Sequence, residues 1–100
     1  MPKGYWIARV DVDNDEGYKP YAANNGAIFK KFGGRFVIRG GKFEAPEGKP
    51  RSRNVVIEFP DYAAAQACYN SPEYQENLKI RQPHSTIELL IIEGYDGPQP

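Results

Sequence analysis

One segment constrains the fold of this chain more than any other: residues 86–93, TIELLIIE, are apolar at both alternating sets of positions. Side chains of a β-strand point alternately to the two faces of the sheet. The odd positions from Ile87 to Ile91 therefore face one side, whereas Leu90 and Ile92 face the other. A sheet with one face in water alternates between apolar and polar residues, so both faces of this sheet must be covered.

The order of the other elements indicates what covers one face. Strands are predicted from β-branched and aromatic runs over the segments 4–13, 35–39, 54–59 and 86–93. Helices are predicted over about residues 16–32, after the N-cap Asp61, and from Pro72 to about Gln82. This β-α-β-β-α-β order predicts an α+β ferredoxin-like fold, an antiparallel sheet with helices on one face. A second copy of the chain is the simplest cover for the other face, so we expect a homodimer.

Details of the elements follow from turn and helix chemistry. Pro20 is expected in the first turn of the first helix, where its missing N–H costs little, and Asn24-Asn25-Gly26 is a poor helix sequence compatible with a kink. The inward stripe of the second helix is predicted to contain Tyr62, Ala65, Cys68 and Tyr69. We expect residues 1–95 to form a single ferredoxin-like domain and residues 96–100 a C-terminal tail.

Composition excludes several classes of function. Thirteen basic residues balance thirteen acidic ones without a block of like charge, so neither nucleic acid nor an anionic membrane is predicted as a partner. The single cysteine and single histidine cannot form a zinc cluster or an internal disulfide, so no metal is predicted and a reducing cytoplasmic location is expected. No apolar run approaches the roughly 20 residues that span a bilayer. The glycine pairs lack the strand-loop-helix context of a phosphate cradle, so no cofactor is predicted.

Three charged residues are predicted to share the helix-free face of the sheet: Arg9, Glu58 and Glu88. In the usual strand order of this fold the first strand lies between the third and the fourth, so Arg9 could meet carboxylates from both neighbours. One interpretation is a charge-paired element of a dimer interface, because buried charges are generally paired. The other is an anchor for a ligand in a cavity between two sheets.

Four residues are predicted to border a pocket between the helices and the sheet: Tyr21, Arg39, Tyr74 and Arg81. Tyrosine hydroxyls need partners when buried, and a guanidinium can hold a carboxylate in a two-pronged pair. The alternative is that Arg39 or Arg81 forms an internal salt bridge with Glu58 or Glu73.

Two further side chains have reactive chemistry but a more ordinary interpretation. His84 follows Pro83 in a connection and is predicted to be a loop residue. Cys68 is predicted to be a small core residue, because no basic neighbour is evident that would lower the pKa of its thiol.

Four segments together resemble the domain of unknown function 1330 family: GYWIARVDV, GGRFVIRGG, RNVVIEFP and YNSPEYQ. The resemblance covers nearly the whole chain and implies a dimeric α/β barrel, in which two ferredoxin-like sheets pair face to face. That superfamily includes cofactor-free monooxygenases, haem-degrading enzymes, muconolactone isomerases and chlorite dismutases. The family itself has no established activity and transfers no catalytic residue to this chain.

Two hypotheses of function follow. In the first, the homodimer binds or converts a small aromatic or acidic metabolite without a metal. In the second, the chain is a non-catalytic small-molecule-binding or structural dimer. An open cavity with convergent polar groups favours the first, and a cavity closed by the tyrosines favours the second.

Overall fold

The computed structural model describes every residue from Met1 to Pro100. Its elements, in chain order, are β1 (Gly4–Val12), α1 (Asp15–Lys31), β2 (Arg35–Arg39), β3 (Arg53–Phe59), α2 (Tyr62–Asn70), α3 (Pro72–Arg81), a single 3₁₀ turn (Gln82–His84) and β4 (Ser85–Glu93). The four strands form one antiparallel sheet in the order β2-β3-β1-β4. The predicted α+β ferredoxin-like fold, with its extra short helix before the last strand, is confirmed.

Side-chain caps explain where the helices begin. The side chains of Asp61 and Ser71 accept hydrogen bonds from the backbone amides of Ala64 and Tyr74, so both predicted starts are confirmed. Asn14 caps α1 in the same way through the amide of Gly17.

Helix α1 differs from the prediction in two respects. Because Asn14 starts it at Asp15, Pro20 lies inside the helix and not in its first turn, and that prediction is wrong. The absent N–H of Pro20 removes one bond from the helical ladder. The helix nevertheless runs without interruption through Asn24-Asn25-Gly26, since the packing of Tyr21 and Phe29 on the sheet holds both halves on one face.

The core lies between the helices and one face of the sheet, which we call the inner face. Trp6 is at its centre, 1% exposed, with the rings of Phe29, Tyr74, Phe59 and Tyr69 between 4.9 and 5.8 Å away. The indole nitrogen of Trp6 donates to the carbonyl of Ala65 at 2.8 Å, which satisfies its one polar atom. Tyr62, predicted to face inward, is 38% exposed, so that prediction is wrong. Tyr62 is the first residue of α2, directly after the N-cap Asp61.

A β-bulge lies in the edge strand β2. Phe36 aligns with Ile57, but Ile38 aligns with Val56, so Val37 is the extra residue. Strict alternation from Phe36 would send Arg39 to the opposite face. The bulge instead aligns Arg39 with Val55 and returns its side chain to the inner face.

The other face of the sheet, the outer face, is covered by no element of the chain. Four apolar side chains lie on it and remain about half exposed: Ile7, Ile38, Leu90 and Ile92, at 36%, 49%, 51% and 46%. The register of β1 with its neighbours aligns Ile7 with Val56 and with Leu90, so these side chains are adjacent.

Charged residues flank this apolar stripe in balanced groups. Glu58 accepts hydrogen bonds from the hydroxyl of Tyr5 and from Nε of Arg35, both at 3.0 Å. At the other end Arg51 pairs with Asp11 at 2.9 Å and with Glu88 at 3.3 Å. Every carboxylate in these groups is paired with a guanidinium group of the same chain.

Arg9 takes a smaller part in these pairs than predicted. It pairs with Glu88 at 3.8 Å, as expected, but not with Glu58. The register explains the difference, because Asn54 lies opposite Arg9 on β3 while Glu58 lies opposite Tyr5.

Beyond β4 the backbone amide of Gly94 donates to the carbonyl of Lys3 at 2.7 Å, and Tyr95 is 71% exposed. The division into a domain of residues 1–95 and a tail of residues 96–100 stays a prediction. None of the three helices has the length and apolar character needed to cross a membrane.

Candidate functional site

A cavity lies between α1 and the inner face of the sheet. It has a volume of about 40 Å³ and is partly open to solvent. Three of the four residues predicted for a pocket line it: Tyr21, Arg39 and Tyr74. They come from three different elements, so the fold and not local sequence brings them together.

The deep end of the cavity holds a pair of tyrosine hydroxyls. The oxygens of Tyr21 and Tyr74 are 2.8 Å apart, and the two residues are 4% and 0% exposed. Burial first, and then the neighbouring Tyr21, raises the pKa of Tyr74 far above its ordinary value. The hydroxyl of Tyr74 therefore stays protonated at neutral pH. Since one O–H is used in the bond between them, the pair keeps one O–H that can donate to a ligand.

The mouth of the cavity is lined by two arginines, Arg39 and Arg53. The guanidinium carbon of Arg39 lies 4.1 Å from the centre of the Phe36 ring, and that of Arg53 lies 5.4 Å from the centre of the Tyr18 ring. Stacking on aromatic rings holds both cations in place without neutralising them. Asp15 lines the adjoining surface depression but forms no ion pair with either arginine.

Sequence reasoning missed Arg53. The predicted third strand begins one residue later, at residue 54, and leaves Arg53 in the loop, whereas β3 begins at Arg53 and pairs it with Val10. The alternation with Val55 and Ile57, both of which line the cavity, was the signal that could have identified it.

Arg81 does not line this cavity. Its guanidinium carbon lies 5.5 Å from the centre of the Tyr21 ring, and its side chain lines an adjoining groove beside β4, which shares Ile87 and Leu89 with the cavity. The residue is 4% exposed, and its Nε has no hydrogen-bond acceptor. Burial opposes the charged form, but the hydroxyls of Tyr74 and Tyr21 outweigh it and raise the pKa of Arg81, so the group is a cation.

The alternative of internal salt bridges for Arg39 and Arg81 is wrong. Glu58 is bound by Arg35, and Glu73 is bound by Lys31 from α1. The bulge in β2 separates Arg39 from Glu58, because the two side chains point to opposite faces of the sheet.

The six arginines therefore divide by location. Arg9, Arg35 and Arg51 lie at the outer face, and each pairs with a carboxylate. Arg39, Arg53 and Arg81 lie on the helix side, and none has a carboxylate partner. Arg39 and Arg53 are exposed to solvent, whereas Arg81 is buried, and a buried cation without a counter-ion is unusual.

The reactive side chains lie outside the cavity. His84 ends the 3₁₀ turn. Its backbone carbonyl accepts hydrogen bonds from the backbone amides of Asp13 and Asn14, at 2.7 and 3.3 Å. Cys68 is fully buried in the core, and burial, with a smaller contribution from Glu73, raises the pKa of its thiol to about 12. No group of three or more His, Cys, Asp or Glu side chains is placed to hold a metal ion.

Several solved structures share the fold. A protein of unknown function from Rhodopseudomonas palustris is 20% identical, with a TM-score of 0.73 over 96% of this chain and 85% of that one. SnoaB, a cofactor-independent oxygenase from Streptomyces nogalater, is 17% identical, with a TM-score of 0.67 over 100% of this chain and 97% of its own. A dimeric ferredoxin-like protein of unknown function from Jannaschia sp. CCS1 is 13% identical, with a TM-score of 0.70 over 91% of this chain and 98% of that one.

These identities are low enough that the likeness establishes the fold alone. No curated protein matches the sequence. The model of one family, "Domain of unknown function (DUF1330)", matches residues 3–95, and the chain belongs to that family.

Proposed function

We propose that this chain is a homodimer that binds a small aromatic acid in the cavity between α1 and the sheet. The observation that carries the proposal is the mouth of the cavity, where Arg39 and Arg53 have no carboxylate partner and are stacked on aromatic rings. A ligand carboxylate can accept charge-assisted hydrogen bonds from both guanidinium groups. The aromatic side chains that line the cavity favour a ligand with an aromatic ring, because the rings can pack against each other.

The dimensions of the cavity decide how such a ligand would lie. Pockets that enclose a drug-sized molecule have volumes of roughly 300 Å³ or more, whereas this cavity has a volume of about 40 Å³. The ligand therefore occupies the open mouth of the cavity, with its carboxylate on the arginines. A polar substituent at the far end of the ring would reach toward the free O–H of the Tyr21–Tyr74 pair.

The homodimer is supported by the outer face. Its half-exposed stripe, with Ile7 and Leu90 at the centre, is the kind of apolar patch that marks an interaction surface. The flanking carboxylates are already paired with arginines of the same chain, so burial against a second copy leaves no charge without a partner. The similar protein from Jannaschia is described as dimeric.

Isothermal titration with 4-hydroxybenzoate and with its neutral methyl ester tests the ligand class. The acid is expected to bind, and the ester to bind about tenfold to a hundredfold more weakly, since hydrogen bonds to a charged group contribute about 1.5–3 kcal/mol. Arg39→Met and Arg53→Met should each weaken binding of the acid by a similar factor. Lys42→Met, which removes a charge from the exposed loop after β2, is the control and should leave binding unchanged. Equal binding of acid and ester would contradict the proposal.

A second candidate is conversion of the bound acid without a cofactor, the activity named for SnoaB. The Tyr21–Tyr74 pair favours it, because a free buried O–H could stabilise a developing oxyanion. Binding alone is the better supported function, since the cavity contains no carboxylate or imidazole that could act as a base. Consumption of oxygen or of 4-hydroxybenzoate by the protein, lost in Tyr74→Phe, would establish conversion instead.

A further inference from the structure

A groove on the helix side of β4 adjoins the cavity, with which it shares Ile87 and Leu89, and it contains the buried guanidinium of Arg81. Arg81 is 4% exposed, forms no ion pair, and has an Nε without an acceptor. Leaving a buried charged donor without a partner is costly, and such groups are normally paired. Of the buried side-chain nitrogen and oxygen atoms in this chain, this one alone lacks a hydrogen bond.

The walls of the groove show what else a ligand there would touch. β4 is an edge strand of the sheet, and no further strand flanks its outer edge. Ile87, Leu89 and Ile91 therefore remain partly exposed and form one wall, and Tyr69 and Arg81 complete the lining. The groove has a volume of about 430 Å³, within the range of small-molecule sites.

We propose that this groove is a second binding site, for a carboxylate carried on an aliphatic chain. The carboxylate accepts hydrogen bonds from Arg81, and the chain lies along the aliphatic wall of β4. An anion is required because Glu73, the acid predicted as a partner for Arg81, is held by Lys31 instead. An aliphatic body is favoured over an aromatic one because three branched aliphatic side chains line the groove and only one aromatic ring does.

A different occupant can be distinguished from this one. The outer edge of β4 has unpaired backbone groups, so a strand from another protein could add to it. Strand addition would bind through main-chain groups and would not depend on Arg81. The dependence on the guanidinium therefore separates the two occupants.

The test uses octanoate and 1-octanol as probes of equal chain length with and without the charge. Titration followed by ¹H–¹⁵N NMR is expected to show that octanoate shifts the amide signals of Ile87 to Ile91 and the Nε–H signal of Arg81. 1-Octanol should bind about tenfold more weakly or worse, because it offers no charge-assisted bond. Failure of octanoate to bind, equal binding of the two probes, or shifts confined to α1 would overturn the proposal.

Two variants and one control complete the experiment. Arg81→Met should lower octanoate affinity by about tenfold or more, to the level of 1-octanol. Ile91→Phe narrows the groove without touching the cavity, which Ile91 does not line, and should also weaken binding; it decides the matter if Arg81→Met does not fold. In Arg39→Met, at the mouth of the cavity, octanoate should still shift the Nε–H signal of Arg81. Octanoate binding that survives both groove variants, or an Arg81 Nε–H signal that no longer shifts in Arg39→Met, would refute the second site.

Discussion

Replacing Leu90 with Asp tests the proposed pairing of two outer faces. Leu90 is 51% exposed in the single chain, so about half of the 1.5–3 kcal/mol available from burying a leucine, or about 1 kcal/mol, remains to be gained in each copy. The introduced carboxylate adds a cost of several kcal/mol, because its neighbours Ile7 and Ile92 offer it no partner. With two copies per dimer the free energy of association is weakened by about 5 kcal/mol or more, which raises the dissociation constant by a factor of about 4,000 or more.

Phe43→Asp is a closely matched control. Phe43 is 50% exposed, almost the same as Leu90, but it lies in the loop between β2 and β3 and not on the outer face. Light scattering at micromolar concentration should give a dimer mass for the parent chain and for Phe43→Asp, and a monomer mass for Leu90→Asp. Leu90→Asp should also melt at a lower temperature than the parent chain, since its folded state loses the stabilisation that a bound partner supplies. A Leu90→Asp protein that stays dimeric with an unchanged melting curve would show that the outer face is not the interface.

Three further predictions concern the single chain and are read from chemical or thermal unfolding. Tyr74→Phe should lower the free energy of unfolding by about 1–3 kcal/mol because it leaves the buried hydroxyl of Tyr21 without a partner, and the double change to Phe at both positions should cost less than the sum of the two single changes. Gly4→Ala should destabilise by about 1–3 kcal/mol because a Cβ there would lie 2.3 Å from the carbonyl oxygen of Asp61, whereas Gly26→Ala, with nothing within 4 Å, should stabilise α1 by about 1 kcal/mol. Hydrogen bonds from Arg35 and Tyr5 hold the pKa of Glu58 below its ordinary value, so its stabilising contribution is present at neutral pH and is lost as the pH falls below about 4; melting temperatures between pH 6 and pH 3 should fall less steeply in Glu58→Gln, and an identical slope would contradict this.

The sequence was sufficient for the order of elements and for two of the tyrosines. Alternation in the strands and three- and four-residue spacing in the helices fix which side chains point inward, and these patterns placed Tyr21 and Tyr74 toward the sheet. They do not fix which of two hollows an inward side chain reaches. Arg81 is on the expected face of α3, yet it lines the groove beside β4 and not the cavity.

Strand register was the part that the sequence could not supply. Partners across a sheet depend on where two strands begin to pair, which is set by the whole sheet and not by either strand. Arg9 was therefore expected to meet Glu58, although the register places Asn54 beside it. Arg53 was left out for a related reason, since a charged first residue of a strand looks like the end of a loop.

The bulge in β2 has a consequence for how this protein can change by insertion and deletion. Because Val37 is the extra residue of β2 and has no partner on β3, its loss removes the bulge and leaves every other side chain of β2 on its present face. A slip of the strand by one position, with Val37 kept, exchanges Ile38 and Arg39 between the two faces. The arginine would then leave the mouth of the cavity for the apolar stripe, and an isoleucine would replace it. The length of this short edge strand thus links the charge at the mouth of the cavity to the surface that we propose as the dimer interface.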